Sequence, residues 1–394
     1  MRWLLEHEDK QVSVQAAHYE ILNGDYAFTD SYILKSLFHE HVLHKNLSRR
    51  LAALMPGTWD ELGVSFDDSW GHDTKNWKEV VLFEDLMHTI SRVSNRMFVG
   101  LPLCRNTSYL SAMKDFAGAV MNTMVILRFT PSFLAPLLGP LASYPNRRAW
   151  QKARIHTLPT IKQRLHDYHL HTTATSESEK SSLPHLPEDY ITWHIRVALE
   201  ENRPAIDLDP DMISRYLMPV NFAAIHTTTF TMTNLLFDLL GSDPELKYIE
   251  SLREEAARVH RESNGEWSKA ALAKMLRTDS AVRESMRVSG FVTRGVQRKV
   301  VAPEGLYNAE EGWTAPRGSM VGLDVWSRHH DPEYYPNPEV YDAFRFSRGR
   351  EEYEAKVARG EVEADSREYL KHRNQSMIST GEAFLSWGHG VHAW

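Results

Sequence analysis

Phe384-Leu385-Ser386-Trp387-Gly388-His389-Gly390-Val391-His392-Ala393-Trp394 is the stretch that decides the fold of this chain. Its core is Gly-His-Gly-Val-His-Ala, and Trp394 is the last residue of the printed sequence. The indole of tryptophan carries one N–H donor and no acceptor lone pair. Trp394 therefore cannot act as a metal ligand, and the meaning of the stretch depends on the motifs that precede it.

Four charged or aromatic motifs precede this stretch in a fixed order. Glu284-Ser285-Met286-Arg287 lies on a predicted helix, where residues three apart share one face and can form an ion pair. Taken alone, such a pair is more typical of a solvated helix surface. It is followed by Arg328-His329-His330-Asp331-Pro332, then Tyr335-Pro336-Asn337-Pro338, then Asp342-Ala343-Phe344-Arg345-Phe346.

This order resembles the cytochromes P450, the heme-thiolate monooxygenases, and in particular their fungal members. The resemblance implies that Glu284, Arg287 and Arg345 form a buried charged triad beside a heme loop that includes Gly388 and His392. It also places Trp394 where the family has its ligating cysteine, so no metal ligand is predicted. The implied fold is mainly α with a small β portion, in one partial domain over residues 1–394. It is expected to lack the family's N-terminal region and last helix.

A long helix is predicted over residues 211–240, with a start signal at Asp209 or Asp211 and a stop signal at Gly241-Ser242-Asp243-Pro244. Its segment Asn221-Phe-Ala-Ala-Ile-His-Thr resembles the family's oxygen-activating motif, with His226 at the position of an acid and Thr227 supplying the hydroxyl. The resemblance implies that Thr227 faces an internal cavity. The alternative is a buried helix whose threonine hydroxyls bond back to carbonyls one turn earlier. The same segment resembles fungal oxidases of the ent-kaurene oxidase type.

Heme propionates require cations, and the resemblance suggests His44, Arg294, Arg298 and His392 as candidates. Taken singly, each of these side chains is more typical of an ordinary surface charge. Val391 departs from the basic residue that is frequent at its position in the family.

Two other sites can be set aside from the sequence. His39-Glu40-His41-Val42-Leu43-His44 has Leu43 where a zinc-binding His-Glu-x-x-His helix needs its second histidine, so no zinc site is predicted. Cys104 is the one cysteine of the sequence, and we predict that it is a packed core thiol.

Composition narrows the class of protein. The 394 residues are 42% hydrophobic, which is enough for a large core, and the formal net charge of -7 is not accompanied by a basic stripe. Nucleic-acid binding is therefore not indicated. The sequence has no run of about 18 apolar residues, so neither a transmembrane helix nor a membrane anchor is predicted. Full-length relatives are expected at the endoplasmic reticulum membrane.

Composition also varies along the chain. Residues 12–130 are predicted to be mostly helical, and four prolines between Pro131 and Pro145 predict a loop region. Residues 171–187 and 349–376 are predicted surface inserts, and short strands are predicted after Gly290.

The resemblance implies an oxidoreductase that inserts one oxygen atom from O2 into a lipophilic secondary metabolite such as a terpenoid. Electrons would come from NADPH through a cytochrome P450 reductase. The alternative is a catalytically inactive remnant or heme-free scaffold, because Trp394 replaces the axial cysteine.

Overall fold

The computed structural model describes residues 3–4, 7–363 and 374–389. These residues contain fifteen α-helices and five β-strands. The helices are α1 Val14–Ile21, α2 Tyr32–Ser36, α3 Phe38–Trp70, α4 Leu82–Phe98, α5 Thr107–Arg128, α6 Ala135–Ala142, α7 Tyr144–Thr173, α8 Glu177–Ser182, α9 Tyr190–Glu200, α10 Pro210–Gly241, α11 Tyr248–Glu262, α12 Lys269–Ala273, α13 Leu276–Val288, α14 Val325–His329 and α15 Arg348–Ala358. The strands are β1 Val12–Ser13, β2 Arg294–Val300, β3 Leu306–Asn308, β4 Trp313–Ala315 and β5 Met320–Asp324. The prediction of a mainly helical chain with a small β portion is confirmed.

The chain divides into two compact units. The helical unit comprises residues 19–229, and the mixed unit comprises residues 1–18 and 230–394.

The helical unit is built around large aromatic side chains. Tyr109 and Phe116 of α5, Trp193 of α9 and Tyr216 of α10 are fully buried in one apolar cluster. A local sequence signal marks the start of α5. The side chain of Asn106 caps this helix by accepting the backbone N–H of Tyr109 at 2.9 Å. The core of this unit therefore lies among α5, α9 and α10.

The mixed unit contains both sheets. β1, β2 and β5 form an antiparallel sheet in that order, with Val12 opposite Val300 and Arg298 opposite Val321. β3 and β4 form a hairpin. The register of β2 against β5 shifts between Gly295 and Arg298, and Val296 in this bulge has a φ of 51°. A positive φ is costly for a β-branched residue, so the bulge is a strained point of the sheet.

The predicted helix over 211–240 is present as α10. Asp209 accepts the backbone N–H groups of Asp211 and Met212, both at 3.0 Å, which starts the helix as the sequence indicated. Its 32 residues give a length of about 48 Å. Residues 210–229 belong to the helical unit and residues 230–241 to the mixed unit.

The prediction of a loop between Pro131 and Pro145 is wrong in part, because α6 forms within it. Pro136 lies in the first turn of α6 and Pro145 in the first turn of α7. The backbone N–H of a first-turn residue has no partner inside the helix, so proline is tolerated there. α8 lies within residues 171–187, and the prediction of a surface insert there stays a prediction.

One helix of the described residues, α5, is long and apolar enough to cross a membrane by length and composition. The mean hydropathy of its most apolar window is 1.2, and 44% of that window is buried inside the protein. A partly buried core helix meets the same criteria, so this is weak evidence for a membrane span.

Candidate functional site

A buried carboxylate forms the centre of the candidate site. Glu284 is 0% exposed. It accepts Nε and Nη2 of Arg287 at 2.9 and 2.8 Å, Nε of Arg345 at 2.9 Å, and the backbone N–H of Asp342 at 3.2 Å. Helix α13 places Glu284 and Arg287 one turn apart, which allows a bidentate pair. The structure therefore brings together the three residues of the predicted triad.

The two arginines of this network also bind main-chain carbonyls. Nη1 of Arg287 donates to the carbonyls of His329 at 2.7 Å and Pro338 at 2.8 Å. Nη1 of Arg345 donates to the carbonyl of Pro336 at 2.8 Å. A buried ion pair needs its remaining donors satisfied, and these carbonyls satisfy them. The network thereby fixes the irregular chain that follows α14.

Residues 374–389, which we call the anchor segment, lead to the glycine–histidine loop and are held by the same region. The carboxylate of Asp279 on α13 accepts the backbone N–H of Met377 at 3.1 Å. The hydroxyl of Tyr335 donates to the carbonyl of Ala383 at 2.9 Å. The hydroxyl of Ser386 donates to the carbonyl of Met286, near the end of α13, at 3.2 Å.

Arg283 and His329 are further residues of the site to which the sequence assigned no role. The guanidinium carbon of Arg283 lies 3.8 Å from the centre of the Phe384 ring, and the His329 ring stacks on Phe384 at 5.3 Å between centroids. Nε2 of His329 accepts the backbone N–H of Leu385 at 2.9 Å. The only local signal in the sequence for these two residues is their position. Arg283 adjoins Glu284, and His329 lies in the Arg328–Pro332 motif.

Burial shapes the electrostatics of these two side chains. Desolvation lowers the pKa of His329 to about 3, and electrostatic interactions with Arg287, His330 and Arg283 add to this effect. Desolvation also lowers the pKa of Arg283 to about 10. At neutral pH His329 is therefore uncharged and Arg283 carries a positive charge.

The predicted oxygen-activating residues lie on α10. The hydroxyl of Thr227 donates to the carbonyl of Ala223 at 2.5 Å, and Thr229 bonds back to Ile225 in the same way at 2.6 Å. His226 stacks on Phe222 at 6.0 Å, and its Nδ1 is buried without a hydrogen-bond partner in the described part of the chain. Burial lowers the pKa of His226. The prediction that Thr227 lines a cavity stays a prediction.

The predicted propionate cations lie in different environments. His44 on α3 and Arg294 on β2 are exposed. Arg298 is buried, which lowers its pKa, and it donates to the carbonyl of Gln297 at 3.1 Å. Gly388 has a φ of 78°, a conformation that favours glycine. His392 and Trp394 lie outside the described residues.

The thiol of Cys104 is buried beside a charged cluster in the helical unit. Its Sγ lies 3.8 Å from Oε2 of Glu61, and Glu61 also pairs with Arg92 and Arg105 at 2.7 and 2.8 Å. Burial raises the pKa of Cys104 to about 11. The prediction of a packed core thiol is confirmed. Within residues 3–4, 7–363 and 374–389, no group of three or more His, Cys, Asp or Glu side chains could hold a metal ion.

Comparison with known proteins gives consistent matches. A family model for cytochrome P450 matches residues 10–363. The cytochrome P450 monooxygenase gloP of Glarea lozoyensis is 31% identical over 400 residues, covering 99% of this chain and 70% of that protein. The monooxygenase pbrC of Penicillium brasilianum is 32% identical over 394 residues, covering 100% and 70%.

Solved structures share the fold. A retinoic acid-bound cyanobacterial CYP120A1 aligns with a TM-score of 0.61 at 17% identity, covering 100% of this chain and 74% of the other. The heme domain of cytochrome P450DA aligns with a TM-score of 0.58 at 12% identity, covering 88% and 63%.

Proposed function

This chain belongs to the cytochrome P450 family, and on that premise we propose that its fold serves the oxidation of a lipophilic secondary metabolite, a reaction that also requires a thiolate ligand for heme iron. The proposed reaction inserts one oxygen atom from O2 into a substrate such as a terpenoid. Electrons are proposed to come from NADPH through a cytochrome P450 reductase. The proposed location is the endoplasmic reticulum membrane.

The observation that carries this proposal is the link between the Glu284 network and the anchor segment. Burying a charged network costs desolvation energy, and apolar residues of similar volume often stabilise a core equally well or better. The polar groups of this region bind main-chain atoms at defined positions, including the carbonyl of Ala383 and the N–H of Leu385. Such directional contacts hold the chain that leads to the loop in one geometry, and this supports the proposal.

Heme is the cofactor of the family, and its iron requires a thiolate from the protein for this chemistry. Cys104 is the one cysteine in the sequence, and its pKa of about 11 keeps it a thiol at neutral pH. Trp394 has no lone pair to offer. The residues of this chain therefore do not fit the thiolate side of a heme site.

His226 and Thr227 are proposed as the proton-handling pair on α10. A neutral imidazole carries one donor and one acceptor nitrogen, so the lowered pKa of His226 suits a group that passes a proton on. Thr227 uses its hydroxyl proton in the bond to Ala223, so its oxygen can still accept a hydrogen bond. The same bond fits a structural role, which is the alternative for this helix.

The second candidate function is a heme-free scaffold without catalytic activity. The observation that favours it is the burial of Cys104 against Glu61, which leaves the described part of the chain without a reactive thiolate. In this case the only role of the Glu284 network is to stabilise the fold.

Reduced carbon monoxide spectra test the proposal against this alternative. Residues 1–394, the Trp394→Cys variant and the Cys104→Ser variant are expressed with heme supplied, reduced and exposed to carbon monoxide. The proposal predicts the strongly red-shifted Soret band of thiolate-bound iron in Trp394→Cys, and its absence from the other two proteins. Failure of a folded Trp394→Cys protein to bind heme would favour the scaffold. A thiolate band in the unsubstituted chain that Cys104→Ser abolishes would identify Cys104 as the ligand.

A further inference from the structure

We propose that Arg283 and His329 are positioning residues that grip Phe384 and Leu385 and so fix the direction in which the chain enters the loop at Gly388. We call Arg283, His329 and Phe384 the Phe384 clamp. This inference rests on the proposed function, because it assigns a task to residues that hold the same loop.

The ring of Phe384 is the centre of the clamp. Phe384 is 1% exposed, and it contacts the Arg283 guanidinium at 3.8 Å and the His329 ring at 5.3 Å with an interplanar angle of 17°. Phe346 packs against the same ring edge-to-face at 6.3 Å, and Arg283 also lies over the Phe346 ring at 4.8 Å. A buried guanidinium is attracted to the face of an aromatic ring, so these contacts fix the orientation of the Phe384 ring as well as fill the space around it.

Arg283 connects the clamp to the backbone upstream of Phe384. Its Nη1 donates to the carbonyl of Ser379 at 2.9 Å and to the carbonyl of Ser376. Arg283 is 4% exposed, and its Nε is buried without a hydrogen-bond partner in the part of the chain that the structure describes. A methionine would fill this space without a desolvated charge. What the guanidinium adds is the ability to fix two carbonyls of the anchor segment at once.

His329 fixes the backbone on the other side of Phe384. A backbone N–H can only donate, so Nε2 of His329 must be unprotonated to accept Leu385, and the ring proton must sit on Nδ1. Protonation at Nε2 would place two donors against each other. The titratable groups that face this ring are Arg283 and Arg287 from α13 and His330 beside it, and their electrostatic effect together with desolvation opposes protonation.

The two residues together set the register of the anchor segment. Arg283 binds it before Phe384 and His329 binds it after, while the side chain of Leu385 packs in a small cluster with Val296 and Val325. A shift of one residue would remove Phe384 from the two ring contacts and Leu385 from its acceptor simultaneously. The clamp therefore acts before Gly388, where the chain turns with a positive φ.

Amide hydrogen exchange on the full chain tests the clamp. His329→Phe keeps an aromatic ring but removes the acceptor, whereas His329→Gln retains an acceptor oxygen. We expect His329→Phe to lower the protection factor of the Leu385 amide at least about tenfold, and His329→Gln to restore most of it. Arg283→Met should lower the protection of residues 384–388. The matched control is His330→Phe, because His330 is the adjacent histidine and stacks on Trp326.

The unsubstituted chain provides a second measurement that does not depend on any variant folding. Opening of the clamp allows His329 to protonate, so the protection of Leu385 should decrease by up to about tenfold per pH unit as the pH falls below 6.5. The Val300 amide, which bonds to Ser319 in the sheet, serves as the reference and should change less.

Equal loss of protection in His329→Phe and His330→Phe would overturn the proposal. So would parallel changes at Leu385 and Val300 as the pH falls. These outcomes are independent of the carbon monoxide spectra, because exchange is measured without heme. An intact clamp in a folded Trp394→Cys protein that binds no heme would therefore refute the proposed function but not the clamp.

Discussion

Replacement of Glu284 by glutamine should destabilise the mixed unit by about 3–5 kcal/mol, the usual cost of breaking a buried ion pair from one side. Glutamine keeps the shape of the side chain but removes its charge. Its amide nitrogen is also a donor, so at least one of the guanidinium N–H groups that now bind Glu284 would face another donor. Arg287 has no access to water, so its charge would stay uncompensated.

The structure also sets limits on this magnitude. Glu284 accepts three bonds from guanidinium groups and one from a backbone N–H. Each bond to a charged group contributes about 1.5–3 kcal/mol. The sum overstates the loss, because the Arg345 side chain is 14% exposed and water can replace part of its bond. The lower half of the range is therefore expected if Arg345 turns to solvent.

The assay is urea unfolding of the full chain combined with exchange of the Val300 amide, which reports on the mixed unit. Two units need not unfold together, so the exchange measurement assigns the loss to the correct one. Glu262→Gln is the matched control, because Glu262 forms a partly exposed pair with Arg258 and should cost less than about 0.5 kcal/mol. Equal stability of the Glu284→Gln and Glu262→Gln proteins would refute the reasoning.

Three further predictions concern the helical unit. Burial lowers the pKa values of His39 and His194 to about 3 and about 4. Below about pH 6.5 the unfolded chain therefore binds more protons than the folded chain. These histidines should leave the free energy of unfolding at its full value above that pH and lower it as the pH falls. Urea midpoints at successive pH values would show this decrease. Cys104 should react with a thiol reagent only as fast as the protein unfolds, because it is buried and its pKa is about 11; rapid labelling of the native chain would contradict this. Asn106→Ala should cost about 1 kcal/mol by removing the cap on Tyr109, whereas Asn106→Asp should cost little, and equal midpoints for both variants would exclude a capping role.

Local sequence signals were sufficient to place α10. The boundaries of α10 follow from the capping carboxylate of Asp209 and the breaker sequence after Gly241. The loop predicted around Pro136 was wrong in part because a proline in a first turn looks the same in sequence as a proline in a loop. Only the tertiary environment decides whether a helix of this length forms.

The candidate site could be predicted only where a motif carried it. The order of Glu284, Arg287 and Arg345 in recognisable motifs indicated a triad, and the structure brings the three side chains together. Arg283 could not be found in this way, and the Arg328–Pro332 motif gave His329 no role, since the partners of these two residues lie 93 and 56 residues away along the chain. No local periodicity encodes such contacts, because they depend on how α13 and the anchor segment pack.

Arg287 and Arg345 bind main-chain carbonyls, and this affects which substitutions the protein can accept during evolution. Every residue at positions 336, 338 and 340 presents a carbonyl, whatever its side chain. Substitutions there can accumulate while the bonds persist, whereas each arginine has no equivalent replacement. A saturation library should therefore yield abundant stable variants across these three positions and almost none at the two arginines. The region combines two arginines that accept no replacement with three positions that accept many side chains, which makes these three positions suitable places to introduce new ones.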